Sequence, residues 1–219
     1  MNFRIHPALF TFDKRLFFLA IVLGKILMAV YVNNMLIDKN LFFETYSEQL
    51  AYERIEEMFN QREQWKWIAF LFIPVIFCIK FSLVAVALNV GILLNGLKTT
   101  FTDLFKIAMI AELVFLFGLF IKIIWMTFFM EIHSMTTIQT FNPLALINLI
   151  NIEKLQSWMV YPLQALSVFE LVYIFVLALG LSLKLQKSFL KMLVLVFSSY
   201  GLGFLLWLVV IMFISLNAG

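Results

Sequence analysis

The sequence predicts an all-α membrane protein: a polytopic bundle of five transmembrane helices that forms a single transmembrane domain over residues 1–219. Hydrophobic residues make up 63% of the chain, charged residues 13%, and the mean hydropathy is +1.00. In soluble domains about a quarter of the residues are charged. Five apolar stretches each exceed the ~20 residues that a helix needs to cross a bilayer. A transmembrane β-barrel would show ~10-residue segments of alternating polarity instead.

The five predicted spans follow these apolar stretches in order. We expect span one to remain in the protein, because its apolar stretch is longer than that of a signal peptide and no A-x-A-like cleavage site follows it. Pro74 is expected to kink span two near its outer end. The predicted spans cover about 16–37, 67–94, 104–130, 163–183 and 190–216.

The charges between the spans predict that the N-terminus is cytoplasmic and the C-terminus external. With this N-in/C-out orientation, the short cytoplasmic segments carry eight basic and two acidic residues. The external loops carry five basic and nine acidic residues, and seven of these acids lie between Asp38 and Glu63. The asymmetry follows the positive-inside rule.

The external segment 38–66 is acidic and amphipathic. Its apolar residues form two stripes with helical spacing, rotated relative to each other, so we expect a bend near residue 50. In one interpretation two helices lie on the membrane surface or cap the bundle. In the other, the stripes form a docking surface for a partner. The residues of that surface would be Phe42, Phe43, Tyr46, Ile55, Met58 and Phe59.

The second external loop, 131–162, is expected to contain a short interfacial helix. Asn142-Pro143 is typical of a helix start, with asparagine as the cap and proline at the first helical position. The apolar run 143–152 is too short to cross the membrane. Pro162 is expected to end the loop just before span four.

Five charged residues lie inside the predicted spans: Lys25, Lys80, Glu112, Lys122 and Glu170. Charges at that depth cost several kcal/mol, so they are expected to face protein or water rather than lipid. The helical rise predicts that Lys25, Lys80 and Glu112 meet in the inner half of the membrane. It also predicts that Lys122 and Glu170 pair in the outer half.

This intramembrane charge cluster has three interpretations. In the first, the charges form structural ion pairs that fix helix register, with one lysine extending to the headgroups. In the second, they belong to a proton- or anion-responsive path, since buried lysines and glutamates shift their pKa readily. The third interpretation is contact with a transmembrane helix of a partner, which would bury the unmatched lysine.

Small residues at helical spacing predict close helix packing in spans two and five. Ala87 and Gly91 form one small-xxx-small pair, and Ser199 and Gly203 form another. The sequence contains no HExxH, GxSxG or Walker motif, and its single cysteine forms no cluster of metal ligands. We therefore expect no catalytic residues, no cofactor, no metal site and no nucleic-acid partner.

The second half of the chain resembles a known family. A stretch from Phe141 to Ile150 precedes a loop, followed by an apolar segment from Ala165 to Leu181 and a basic turn from Lys184 to Lys191. Together with the last span, residues ~140–216 resemble the bacterial branch of the Yip1-like multi-pass membrane proteins. The resemblance implies five spans with the N-terminus in the cytoplasm, and it brings no catalytic residues.

These observations lead to three functional hypotheses for a protein of the bacterial inner membrane. The first is a non-enzymatic subunit or accessory scaffold factor of a larger assembly, such as a transport or export system. Its partners would be the lipid bilayer and other membrane or periplasmic subunits, and a homo-oligomer is compatible with the sequence. The alternative is a small stand-alone transporter or channel with a buried Lys/Glu path. A membrane-embedded enzyme is the third hypothesis.

Overall fold

A computed structural model describes residues 13–151 and 155–217 of the chain. Most of the predicted cytoplasmic segment 1–15 and residues 152–154 of the second external loop lie outside this part. Five helices are long and apolar enough to cross a membrane, which confirms the all-α, five-span prediction. They cover Lys14–Leu36, Tyr52–Leu94, Phe101–Phe128, Val168–Leu185 and Phe189–Asn217.

Span one consists of a helix and a terminal π-helical turn, and span five has a π-helical turn in its middle. Short helices lie in the two long loops, which join span one to span two and span three to span four. Both loops lie at the same end of the bundle, which we call the outer end after the predicted orientation. The helices are α1 Lys14–Tyr31, α2 Lys39–Tyr46, α3 Tyr52–Leu94, α4 Phe101–Phe128, α5 Met135–Thr140, α6 Ser157–Ala165, α7 Val168–Leu185, α8 Phe189–Val196 and α9 Leu202–Asn217. The π-helical turns are Val32–Leu36 and Phe197–Gly201, and Leu146–Leu149 forms a 3-10 turn.

Helix α4 lies in the middle of the bundle. It packs against α1, α3 and α7, while α8 packs against α7 and α3. The main core between these helices is apolar and fully buried. Its largest side chains include Phe81, Leu88, Ile107, Tyr173 and Leu177.

Helix α3 is 43 residues long and joins two elements that the sequence separates. The second of the two helices expected in segment 38–66 and span two are one continuous helix, so the first part of α3 extends beyond the apolar stretch. Tyr52–Lys66 is rich in glutamate, glutamine and arginine, which are good helix formers, and contains no glycine or proline to stop it. The chain does bend near residue 50, in the turn that joins α2 to α3.

The two apolar stripes of segment 38–66 face each other across the turn that joins α2 to α3. Phe42 and Ile55 are only 5% and 1% exposed, and the rings of Phe42 and Phe59 are 5.6 Å apart. Phe43, Tyr46, Met58 and Phe59 are partly buried against the same outer cluster, which also includes residues of α4 and α5. Phe42 and Ile55 are thus covered by the chain itself, as in the interpretation in which the segment caps the bundle. Docking of a partner at the partly buried residues of this set stays a prediction.

The prediction of a helix that starts at Asn142-Pro143 is wrong. Leu144 has a φ of 57°, a left-handed conformation that interrupts a helix, and only a short 3-10 turn follows. The Asn142 side-chain amide does not cap a helix but donates to the carbonyl of Gln164 at 2.7 Å. The last residue of the predicted helix, residue 152, lies outside the described part.

Span four begins later than the predicted residue 163. Residues Ser157–Ala165 form the separate helix α6, which contains Pro162. Helix α7 begins after Ser167, whose hydroxyl accepts a hydrogen bond from the backbone N–H of Glu170 at 3.3 Å. Glu170 therefore lies in the first turn of this span.

Candidate functional site

Five polar side chains from four spans meet inside the bundle and form what we call the polar centre: Lys80, Glu112, Glu170, Tyr173 and Tyr200. They come from α3, α4, α7 and the π-helical turn of span five. At 1.5 Å per residue, counted from the end of the bundle where α3 ends and α4 begins, they lie about 16–23 Å along their helices. The polar centre is thus one layer across the bundle.

The Lys80–Glu112 ion pair joins spans two and three within the polar centre. The Lys80 Nζ lies 2.7 Å from Glu112 Oε2 and 2.9 Å from Oε1. It also lies 4.2 Å from the ring centroid of Phe115 and 5.7 Å from that of Tyr173, so two aromatic faces attract the same ammonium group. The Glu112 side chain is 4% exposed and that of Lys80 is 36% exposed. The carboxylate is therefore inside the bundle, and the partly exposed lysine side chain reaches it from the surface of the bundle.

Glu170 is held by a tyrosine rather than by a lysine. The hydroxyl of Tyr200 donates to Glu170 Oε1 at 2.8 Å, and both side chains are buried. Tyr200 belongs to the π-helical turn Phe197–Gly201 of span five. A π-helical turn inside an α-helix changes the direction of the side chains that follow and often occurs at functional sites.

Tyr173 lies between the Lys80–Glu112 pair and the Glu170–Tyr200 pair of the polar centre. Its side chain is 0% exposed, and its ring lies 4.8 Å from that of Phe115 and 5.4 Å from that of Tyr200. Its hydroxyl makes no hydrogen bond within the described part of the chain. Sequence reasoning missed Tyr173 and Tyr200. A tyrosine in an apolar helix can be buried with its hydroxyl bonded, or it can anchor the helix at the membrane interface, and no sequence pattern distinguishes the two.

Lys25 lies near the polar centre without a direct partner. It is about 17 Å along α1, in the same layer, and close enough to Glu112 and Lys80 to interact electrostatically. Among the described residues it makes no hydrogen bond or ion pair. The structure thus places the predicted inner group at one depth, but only Lys80 and Glu112 bond to each other.

The predicted ion pair between Lys122 and Glu170 is wrong. The Lys122 Nζ donates to the carbonyl oxygen of Ile138 at 2.9 Å, while Glu170 bonds to Tyr200. Lys122 lies about 32 Å along α4, roughly 10 Å farther toward the outer end than Glu170 lies along α7. Lys122 therefore bonds span three to the loop that follows it, and it is not part of the polar centre.

The two predicted small-residue pairs pack against each other beside the polar centre. A Cβ added at Gly91 would lie 2.7 Å from the Oγ of Ser199, far inside van der Waals contact. A Cβ added at Gly203 would lie 3.9 Å from the Cβ of Ala87, which is an ordinary contact. Spans two and five thus approach most closely at Gly91, and the close packing supports the turn that carries Tyr200.

The chemistry available at the polar centre is proton exchange and charge pairing. Two carboxyl groups, an ammonium group and two phenols can hold or pass protons, but they do not form a nucleophile–base pair. The part of the chain that the structure describes contains no group of three or more His, Cys, Asp or Glu that could hold a metal ion.

Comparison with known proteins gives no family for this chain. No family profile matches the sequence, and neither the curated proteins nor the solved structures contain a match. The resemblance of residues ~140–216 to Yip1-like proteins stays a prediction.

Proposed function

We propose that this integral membrane protein is a non-enzymatic subunit or accessory scaffold factor of a larger assembly in the bacterial inner membrane, such as a transport or export system. The observation that carries the proposal is the polar centre. Its carboxylates are buried and bonded within the chain: the Lys80–Glu112 ion pair joins α3 to α4, and the Glu170–Tyr200 hydrogen bond joins α7 to span five. A bundle joined by internal bonds of this kind suits a protein whose task is to hold partners.

Span one offers the surface for such a partner. Leu16, Leu19, Leu23 and Leu27 lie on one face of α1 and are 53–70% exposed. Only 11% of the most apolar stretch of this span is buried, compared with 39% for span four. Lys25 lies on the opposite face, toward Glu112, so the leucine face is uniformly apolar. It is suited to a transmembrane helix of another subunit.

Site-specific photocrosslinking tests this proposal in living cells. A photoreactive residue at Leu23 is expected to form one or two discrete protein adducts. The matched control is Val86, which is 51% exposed on α3 and outside the leucine face. Identical adducts from both positions, or no protein adduct at Leu23, would contradict a partner on span one.

The alternative function is a small stand-alone transporter or channel. It is favoured by a specific observation: proton-exchanging groups from four helices are contiguous at one depth, and one of them, Tyr200, lies in a π-helical turn. The test is proton and anion flux in liposomes that contain only the purified chain. Flux that Glu170→Gln abolishes without a change in melting temperature would favour this alternative over the scaffold.

A further inference from the structure

The bundle end where α3 and α7 end and α8 begins contains a groove of about 580 Å³. Two lysines, Lys187 and Lys191, line it together with the apolar side chains of Leu97, Leu190 and Val194. The groove therefore combines positive charge with an apolar wall at the point where two membrane spans leave the bilayer.

The two groove lysines have no acidic partner among the described residues. Two acids lie at this end in the described part of the chain, and both are engaged. Asp103 forms an ion pair with Lys184 at 2.9 Å, and Asp13 caps α1 by accepting from the backbone N–H of Arg15 at 2.8 Å. The positive charge of the groove is therefore not neutralised within the protein.

The apolar wall continues from the lysines into the membrane. Leu190 and Val194 are one helical turn apart on α8, and each is 69% exposed. A lysine at a helix end extends its charged group to the headgroup level, while the chain beyond it faces the acyl region. The arrangement matches a molecule with a negative head and an apolar tail.

We propose that this groove binds an anionic phospholipid, with the headgroup phosphate between Lys187 and Lys191 and an acyl chain along Leu190 and Val194. The charge complementarity comes from the two unneutralised lysines, and the apolar wall distinguishes a lipid from a free anion. The proposal concerns the start of α8 rather than the leucine face of span one, and it does not depend on the proposed function.

Native mass spectrometry of the full chain in detergent tests the proposal, with phosphatidylglycerol and phosphatidylcholine as probes. Each lysine near an anionic headgroup is worth about fivefold in affinity, so Lys187→Gln with Lys191→Gln should weaken phosphatidylglycerol binding roughly 25-fold. Phosphatidylcholine binding should not change. The matched control, Lys14→Gln with Arg15→Gln, removes two positive charges from the same end of the bundle and should leave both affinities unchanged.

Three results would overturn the proposal. The first is unchanged phosphatidylglycerol affinity in the groove variant. The second is an equal loss in the groove and control variants, which would indicate a general charge effect. The third is binding of glycerol phosphate as tight as that of phosphatidylglycerol, which would assign the groove to a soluble anion. Both lysines are exposed, so a sharp size-exclusion peak for the variants checks that the fold is intact.

Discussion

Replacing Glu112 with leucine should destabilise the bundle, because it leaves the ammonium group of Lys80 without its ion-pair partner. Breaking a buried ion pair by removing one partner costs about 3–5 kcal/mol. The carboxylate is 4% exposed, but the Lys80 side chain is 36% exposed and can move toward the rim, where the ring of Phe115 still attracts it. The cost should therefore lie at the lower end, about 3 kcal/mol.

The double variant Lys80→Met with Glu112→Leu separates this effect from simple loss of packing. Replacing a buried ion pair with apolar residues of similar volume is often close to neutral, so the double variant should recover most of the stability. In thermal unfolding in mild detergent, the single variant Glu112→Leu should melt roughly 6–12 °C lower than the wild type, and the double variant should melt within a few degrees of it.

Equal losses of stability in the two variants would show that Lys80 and Glu112 do not stabilise each other. A single variant that melts at the wild-type temperature would lead to the same conclusion.

Three further predictions concern other parts of the structure and use the same melting assay. Tyr200→Phe removes the donor to the buried Glu170 carboxylate and should cost about 1–3 kcal/mol, whereas an unchanged melting temperature would rule out that hydrogen bond. Gly91→Val should lower the melting temperature strongly, because an added Cβ would lie 2.7 Å from Ser199 Oγ. The control Gly24→Val should be tolerated, because an added Cβ there meets nothing within 4 Å. Equal effects of the two variants would contradict the close contact of spans two and five. Lys39→Gln should have no measurable effect, because its ion pair is exposed. The hydrogen bond to the Glu56 carboxylate raises the pKa of Lys39. Any stability that this pair contributes is therefore present at neutral pH and disappears only when strongly alkaline solution removes the lysine proton. A loss of that stability near pH 7 would contradict this assignment.

Hydropathy was sufficient to predict the five spans, since length and apolar composition are what the membrane requires of a helix. It could not predict where α3 begins, because Tyr52–Lys66 is polar and its helicity comes from propensity and from packing against α2. It also misplaced the start of α7. That boundary depends on the Ser167 cap, and a cap is a local hydrogen bond rather than a hydropathy signal.

The polar centre could be predicted only in part. Helical rise brought Lys80 and Glu112 to similar depths, and the structure pairs them. The same reasoning failed for Lys122, because span boundaries that were several residues in error placed it at the level of Glu170. The partner of Glu170, Tyr200, depends on a π-helical turn, and regular helical periodicity cannot anticipate such a turn.

The measurement that tests the proposed scaffold role most directly is extraction in mild detergent at native expression, followed by size determination and mass spectrometry of the co-eluting proteins. We expect a complex larger than the 25.6 kDa chain, with at least one other membrane protein in fixed stoichiometry. A monodisperse species that contains this chain alone would exclude the scaffold role and would make liposome flux the next experiment.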